Sequence, residues 1–291
     1  MHALLADLRD QPWVAAALSE LRAVLADAAD ALVAGLKARA DAASCEAVVA
    51  TLWQRAEQGV GWTEPFWREC FVVASVAAAV ALCGSTLPTA HQRALRHLDC
   101  AFIMGGPSEV LQPFVAVVEL LVPRAPALDT HLLPRSLPEG AAPEPHPDLA
   151  LCRLDSGEWG RFRKEFYNVD RPVVLAGLGA AWPALEKWRD LGWWNAQFGH
   201  RYVPLEVGKH TDGAAWREDV LLMSEFLAEL IADQRVLYLA QHPLFEHLPA
   251  LRADFEVPDC VGRRLTRINA WLGSRGTVTP LHYDRRVVSC C

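Results

Sequence analysis

Apolar residues return every three or four positions through Val14, Leu18, Leu21, Val24, Leu25, Ala28, Leu32 and Leu36. That spacing lines one face of an α-helix, and Pro12 suits its first turn. The same period predicts helices near 44–57, 65–83, 88–104 and 107–122. Gly84 stands where a helix C-terminal glycine belongs, and Pro107 with Ser108 suits the start of the last helix. Residues 1–122 therefore read as an all-helical domain. Its two central histidines, His91 and His97, lie six apart, a poor spacing for two ligands on one helix face. The domain reads as a packing or partner-binding unit.

Residues 123–148 carry Pro123, Pro126, Pro134, Pro138, Pro143, Pro145 and Pro147. Proline removes the amide donor and fixes φ, so this density excludes continuous helix or sheet and predicts a linker. From residue 149 to 291 the pattern alternates short helices with short strands. Helices fit 158–166, 182–191 and 193–198, and Ser224 is a candidate cap for a helix running to Ile231. Strands fit 172–176, 202–207, 236–240 and 265–272. The fold class is α+β, a helical half opening into an antiparallel domain. Neither a G-x-G-x-x-G nor a G-x-x-x-x-G-K-[ST] motif occurs.

Composition narrows the classes. The 291 residues have a formal net charge of −7 and are 52% hydrophobic, and the pI is about 5.8. No direct nucleic-acid binding and no broad grip on an anionic membrane are expected. Asp7, Arg9 and Asp10 interrupt the place where a secretory signal needs its apolar stretch. The apolar run Cys70–Cys83 is shorter than the ~20 residues of a membrane span. The eight cysteines include no C-x-x-C pair, so zinc ribbons and thioredoxin-like motifs are not supported. A reducing compartment, nucleus or cytoplasm, is expected.

The chemistry concentrates near the end of the chain, in Thr279-Pro280-Leu281-His282-Tyr283-Asp284. Alternate side chains of a strand share a face, so His282 and Asp284 can grip one metal ion from one side. An imidazole and a carboxylate are two thirds of the 2-His-1-carboxylate set of non-haem iron(II) oxygenases. With ten histidines and 35 acidic residues in the chain, an H-x-D spacing also arises by chance. The plain alternative is a surface turn with a hydrogen-bonded His–Asp pair.

The surroundings decide between these. Y-L-A-Q-H-P-L-F (238–245), N-A-W-L-G (269–273) and T-P-L-H-Y-D (279–284) together resemble the jumonji-C (JmjC) oxygenases. The resemblance is to the JmjC-only hydroxylases typified by lysine-specific demethylase eight. It extends to R-P-V-V-L-A-G (171–177), W-P-A-L-E-K-W (182–188), V-P-L-E-V-G (203–208) and, in the helical half, L-R-H-L-D-C-A-F-I-M-G-G (95–106). It implies a cupin-like double-stranded β-helix using iron(II) and 2-oxoglutarate. His282 and Asp284 would be iron ligands, and no other catalytic residue is implied. Tyr238 and Thr279 would bind the 2-oxoglutarate carboxylate, Trp271 would line the pocket, and Glu206 would face the substrate. The implied partner is a protein or peptide, a histone or another protein bearing Arg or Lys, modified by arginyl hydroxylation or lysine demethylation. His242 and His247, close by in sequence, are expected to play ordinary roles.

The chain departs from the family after Asp284, where Arg-Arg-Val-Val-Ser-Cys-Cys follows. The family has an Asn where this chain has Val288, then a lysine for 2-oxoglutarate and a distal histidine. The expectation is an incomplete, C-terminally truncated jelly roll with impaired turnover. Two other readings follow: a non-catalytic interaction protein using the helical domain, and a metal-binding remnant completed by another chain.

Overall fold

Alanine and valine fill the longest helix of the chain, and the architecture of the N-terminal half follows from that. The computed structural model describes residues 2–24, 30, 41–57, 63–107, 111–123, 151–209, 216–260 and 265–279. Among the described residues six helices come first: α1 (His2–Arg9), α2 (Pro12–Val24), α3 (Ala42–Glu57), α4 (Pro65–Cys83), α5 (Ala90–Gly105) and α6 (Leu111–Glu119). Small side chains on α4 let α3 and α5 approach closely. The run from Cys70 to Val80 is buried at every position. A Cβ on Gly105 would sit 2.3 Å from Val72 Cγ2, so glycine is required where α5 passes α4. α4 is 19 residues long and apolar enough for a membrane span, but 67% of its apolar window is buried within the protein. It is the core helix of the helical half, longer than the apolar run alone suggested.

Elsewhere the expected helices are shifted at their ends. α3 begins two residues early because Asp41 caps it, accepting from Ser44 N at 2.9 Å. α1 was not expected. The last helix is described over Leu111–Glu119, and Pro107 is not helical. The second half of the long amphipathic pattern, Ser108 and the proline-rich linker lie outside the described residues.

The second half opens with β1 (Cys152–Leu154) and β2 (Val173–Leu175), which pair in parallel. Between them a short 3-10 helix (Ser156–Arg161) runs into α7 (Phe162–Glu165), where a single helix was expected. Then come α8 (Ala184–Lys187), α9 (Leu191–Phe198), β3 (Tyr202–Val207), β4 (Arg217–Leu222), α10 (Met223–Ala232), β5 (Leu237–His242), α11 (Leu244–His247) and β6 (Ala270–Gly273). β4, β3, β5 and β6 form one sheet in that order, antiparallel throughout. Ser224 does not cap α10. The helix already begins at Met223, and the Glu225 side chain reaches back to accept from Leu222 N at 3.3 Å. The strand expected over 265–272 starts only at Ala270.

One face of this sheet is closed and, among the described residues, the other is open. Val203, Leu205, Val207, Leu237 and Leu239 are buried against α9, α10 and α11 through Leu191, Trp194, Phe198, Met223, Phe226, Leu227 and Leu244. The alternate residues of β3 and β5 point the other way, away from that core. An open sheet with one packed face is what the first part of a cupin-like jelly roll presents, and the α+β reading holds.

Candidate functional site

The open face collects the residues singled out in the sequence. In β3, Tyr202, Pro204 and Glu206 alternate with the buried positions. Glu206 lies opposite Tyr238 of β5, and Tyr238 lies opposite Gly273 of β6. Trp271, two residues before Gly273 on the same strand, is 51% exposed, while Leu272 between them packs on the core. Glu206, Tyr238 and Trp271 thus share one face.

Thr279 arrives on that face by a tight turn. Thr277 N donates to Ser274 O at 3.3 Å, and Gly276 takes φ +87°. Ser274 Oγ donates to Arg235 O at 3.1 Å and accepts from Leu237 N at 3.0 Å, tying the turn to the start of β5. The result is a hydroxyl pair: Tyr238 Oη and Thr279 Oγ1 are 2.9 Å apart across 41 residues of sequence. Gly273 is needed beneath it. A Cβ there would meet Thr277 at 2.5 Å and the Tyr238 ring at 2.9 Å.

A carboxylate needs hydrogen-bond donors, and two adjacent hydroxyls on an open face supply them. This donor set fits one end of a dicarboxylic acid. His282 and Asp284 lie outside the described residues. As a donor set, an imidazole and a carboxylate two positions apart fit a divalent first-row metal. Among the described residues no group of three His, Cys, Asp or Glu side chains could hold a metal ion.

Trp216, which the sequence reading did not single out, donates from Nε1 to Glu206 Oε2 at 3.4 Å. Glu218 of β4 lies directly opposite Glu206, so two carboxylates sit side by side on the sheet. Arg201, in the turn before β3, is buried with Asp99 and Glu119 and does not reach this face. A cleft of about 580 Å³ lined by Trp159, Phe162, Arg163, Trp182 and residues 256–260 shares no residue with this face.

The family model of the cupin-like domain matches residues 159–287, a span that includes the open face and the H-x-D motif. Jumonji C domain-containing protein 5 of Drosophila melanogaster is 30% identical over 286 residues, 91% of this chain and 70% of that protein. The chain belongs to the JmjC family. Lysine-specific demethylase JMJ30 of Arabidopsis thaliana is 42% identical over 130 residues, 42% of this chain and 30% of that protein. The bifunctional peptidase and (3S)-lysyl hydroxylase JMJD7 of Homo sapiens is 28% identical over 146 residues, 42% of this chain and 44% of that protein. The matched parts thus span less than half of the length of two of these JmjC relatives. The Drosophila relative aligns along the helical half as well.

That helical half meets the JmjC half through a buried polar network. Asp99 of α5 is 0% exposed. It accepts from Arg201 Nη2 at 2.6 Å, from Arg201 Nε at 3.1 Å, and from Tyr202 N at 2.8 Å. His247 Nε2 lies 2.9 Å from Asp99 Oδ1, and His247 Nδ1 lies 2.9 Å from His242 Nε2. Arg201 also donates to Glu119 of α6 at 2.8 Å. Burial pushes the Asp99 carboxyl up, but Arg201 and His247 outweigh it and hold it well below the usual range. Burial pushes His242 down to about 3, with the neighbouring His247 adding to the effect. Burial also lowers His247, against the pull of Asp99. Ionised Asp99 can only accept, so neutral His247 donates from Nε2 and accepts at Nδ1 from His242. Both histidines thus take structural, hydrogen-bonded places at the junction. No periodicity announces a contact between residues 148 apart.

Proposed function

We propose that the chain is the iron(II)- and 2-oxoglutarate-binding part of a JmjC dioxygenase acting on protein side chains. The observation that carries this reading is the Tyr238–Thr279 hydroxyl pair on the face that also bears Glu206 and Trp271. Tyr238 and Thr279 donate to the cosubstrate carboxylate, and Trp271 walls the pocket beside them. His282 and Asp284 are the metal ligands. Iron(II) with 2-oxoglutarate, when bound, would let dioxygen oxidise an unactivated C–H bond, with 2-oxoglutarate supplying the other two electrons by oxidative decarboxylation. The protein's own part is to bind, orient and limit side reactions.

The substrate side is Glu206, steadied by Trp216 and faced by Glu218. Two adjacent carboxylates suit a cationic side chain, and a guanidinium can bridge them with paired hydrogen bonds. Arginyl hydroxylation is therefore favoured over lysine demethylation, on a protein or peptide in the nucleus or cytoplasm. The related proteins named for demethylation and lysyl hydroxylation support a protein substrate of one of these kinds. The proposed division is 1–122, 123–148 and 149–291. Poor turnover by the 291 residues taken alone belongs to the proposal, since the reading gives no third ligand among them.

Calorimetric titration with 2-oxoglutarate in the presence of Mn(II) tests the cosubstrate assignment. A hydrogen bond to a charged group contributes about 1.5–3 kcal/mol, so Tyr238→Phe and Thr279→Val should each weaken binding by roughly 10–100-fold. Unchanged affinity in both variants refutes the assigned roles.

A further inference from the structure

Every hydrogen-bond partner of the Asp99 side chain belongs to the JmjC half, 102 to 148 residues away in sequence. Two of these contacts act on the strands of the open face. Tyr202, whose amide Asp99 accepts, is the first residue of β3, and Glu206 follows on the same face. His242, reached through His247, is the last residue of β5, the strand that carries Tyr238.

The backbone departs from regular geometry to make the second contact. The pairing of β5 with β6 shifts register between Leu239 and His242, and Gln241 takes φ +51°. A non-glycine residue in that region is strained. In an uninterrupted strand His242 would share the open face with Tyr238 and Ala240. The irregularity turns it inward instead, to 2.9 Å from His247, where Phe102 of α5 stacks on the His247 ring at 4.5 Å.

We propose that Asp99 is a positioning residue for the open face: through Tyr202 and the His247–His242 relay it sets β3 and β5 relative to each other. The helical half is then a working part of the site, and a change at α5 is felt at Tyr238. This rests on reading that face as the cosubstrate side, but its test is conformational. Failure of the test leaves that reading standing, and failure of 2-oxoglutarate binding leaves the coupling standing.

The chain has four tyrosines, Tyr167, Tyr202, Tyr238 and Tyr283, so the full 291-residue protein labelled with 3-fluorotyrosine gives a countable ¹⁹F spectrum. Tyr238→Phe identifies the reporter resonance, and Tyr167, on the short helical turn after α7, is the control. Asp99→Asn and His242→Leu should each move or split the Tyr238 resonance by more than its linewidth and leave Tyr167 in place. His242→Gln, which keeps a donor for His247, should restore the original position. A Tyr238 resonance unmoved in folded variants overturns the proposal. So does an equal disturbance of Tyr167 and Tyr238, the mark of general loosening. If Asp99→Asn does not fold, His242→Leu and its Gln counterpart decide alone.

Discussion

At Gly273 a single missing side chain holds the candidate site together. A Cβ there would press on Thr277 and on the Tyr238 ring at distances no relaxed contact allows. Overpacking of this kind costs about 1–3 kcal/mol. Gly273→Ala should lower the thermal midpoint by several degrees and disturb the Tyr238–Thr279 hydrogen bond, as followed by thermal melting and the Tyr238 hydroxyl environment. The residues of this face were legible to different degrees. Tyr238, Thr279, Trp271 and Glu206 were named from motifs, and the fold brings them to one face. Trp216 went unnoticed because it reaches Glu206 through the pairing of β3 with β4, and β4 itself was not foreseen. Asp99 went unnoticed because its partners are distant in sequence, and a buried carboxylate inside an amphipathic helix carries no pattern of its own.

Strands with clean alternation were readable and irregular ones were not. In β3 buried and open positions alternate along Tyr202–Val207, and its expected limits match. β4 begins Arg217-Glu218-Asp219, three charged residues that hide a strand paired along all six positions. β1 is three residues, too short for a period, whereas β2, as short, falls within the strand expected over 172–176. β5 ran two residues further than its hydrophobic pattern because the bulge at Gln241 breaks the alternation. That bulge gives the element its own prediction. A β-branched side chain is costlier than Gln in the left-handed region, by roughly 1–2 kcal/mol. Gln241→Ile should therefore destabilise the chain by about that amount, while Gln241→Gly should be neutral or mildly stabilising, as read by chemical denaturation. Equal stability of the Ile and Gly variants contradicts the account of the bulge.

Among the described residues, two hydrophobic cores meet across an ionised and hydrogen-bonded cluster. Breaking a buried pair by removing one partner costs about 3–5 kcal/mol, so the junction holds the halves tightly. It also makes them sensitive to acid. His242 and His247 have folded-state values below the unfolded one, so the unfolded chain takes up protons first as pH falls below ~6.5. Stability is full above that value and declines as pH falls toward about 3, the value at which folded His242 protonates. The depressed carboxyls of Asp99 and Glu119 add loss in the same direction below the usual carboxylate range. At pH 5 His242 alone accounts for a loss on the order of 2 kcal/mol. Denaturation at pH 7 and pH 5 should show it, and His242→Gln should reduce the difference; equal stability at both pH values contradicts the neutral relay. On the proposed reading, His282, Asp284 and the Tyr238–Thr279 pair form one metal-and-cosubstrate site. Electron paramagnetic resonance of Mn(II) titrated into the protein, with and without 2-oxoglutarate, tests it most directly. Mn(II) binding should be saturable, tighten with 2-oxoglutarate, be abolished by His282→Ala or Asp284→Ala, and lose its 2-oxoglutarate dependence in Tyr238→Phe. Mn(II) binding indifferent to these substitutions, or none with 2-oxoglutarate in excess, contradicts it.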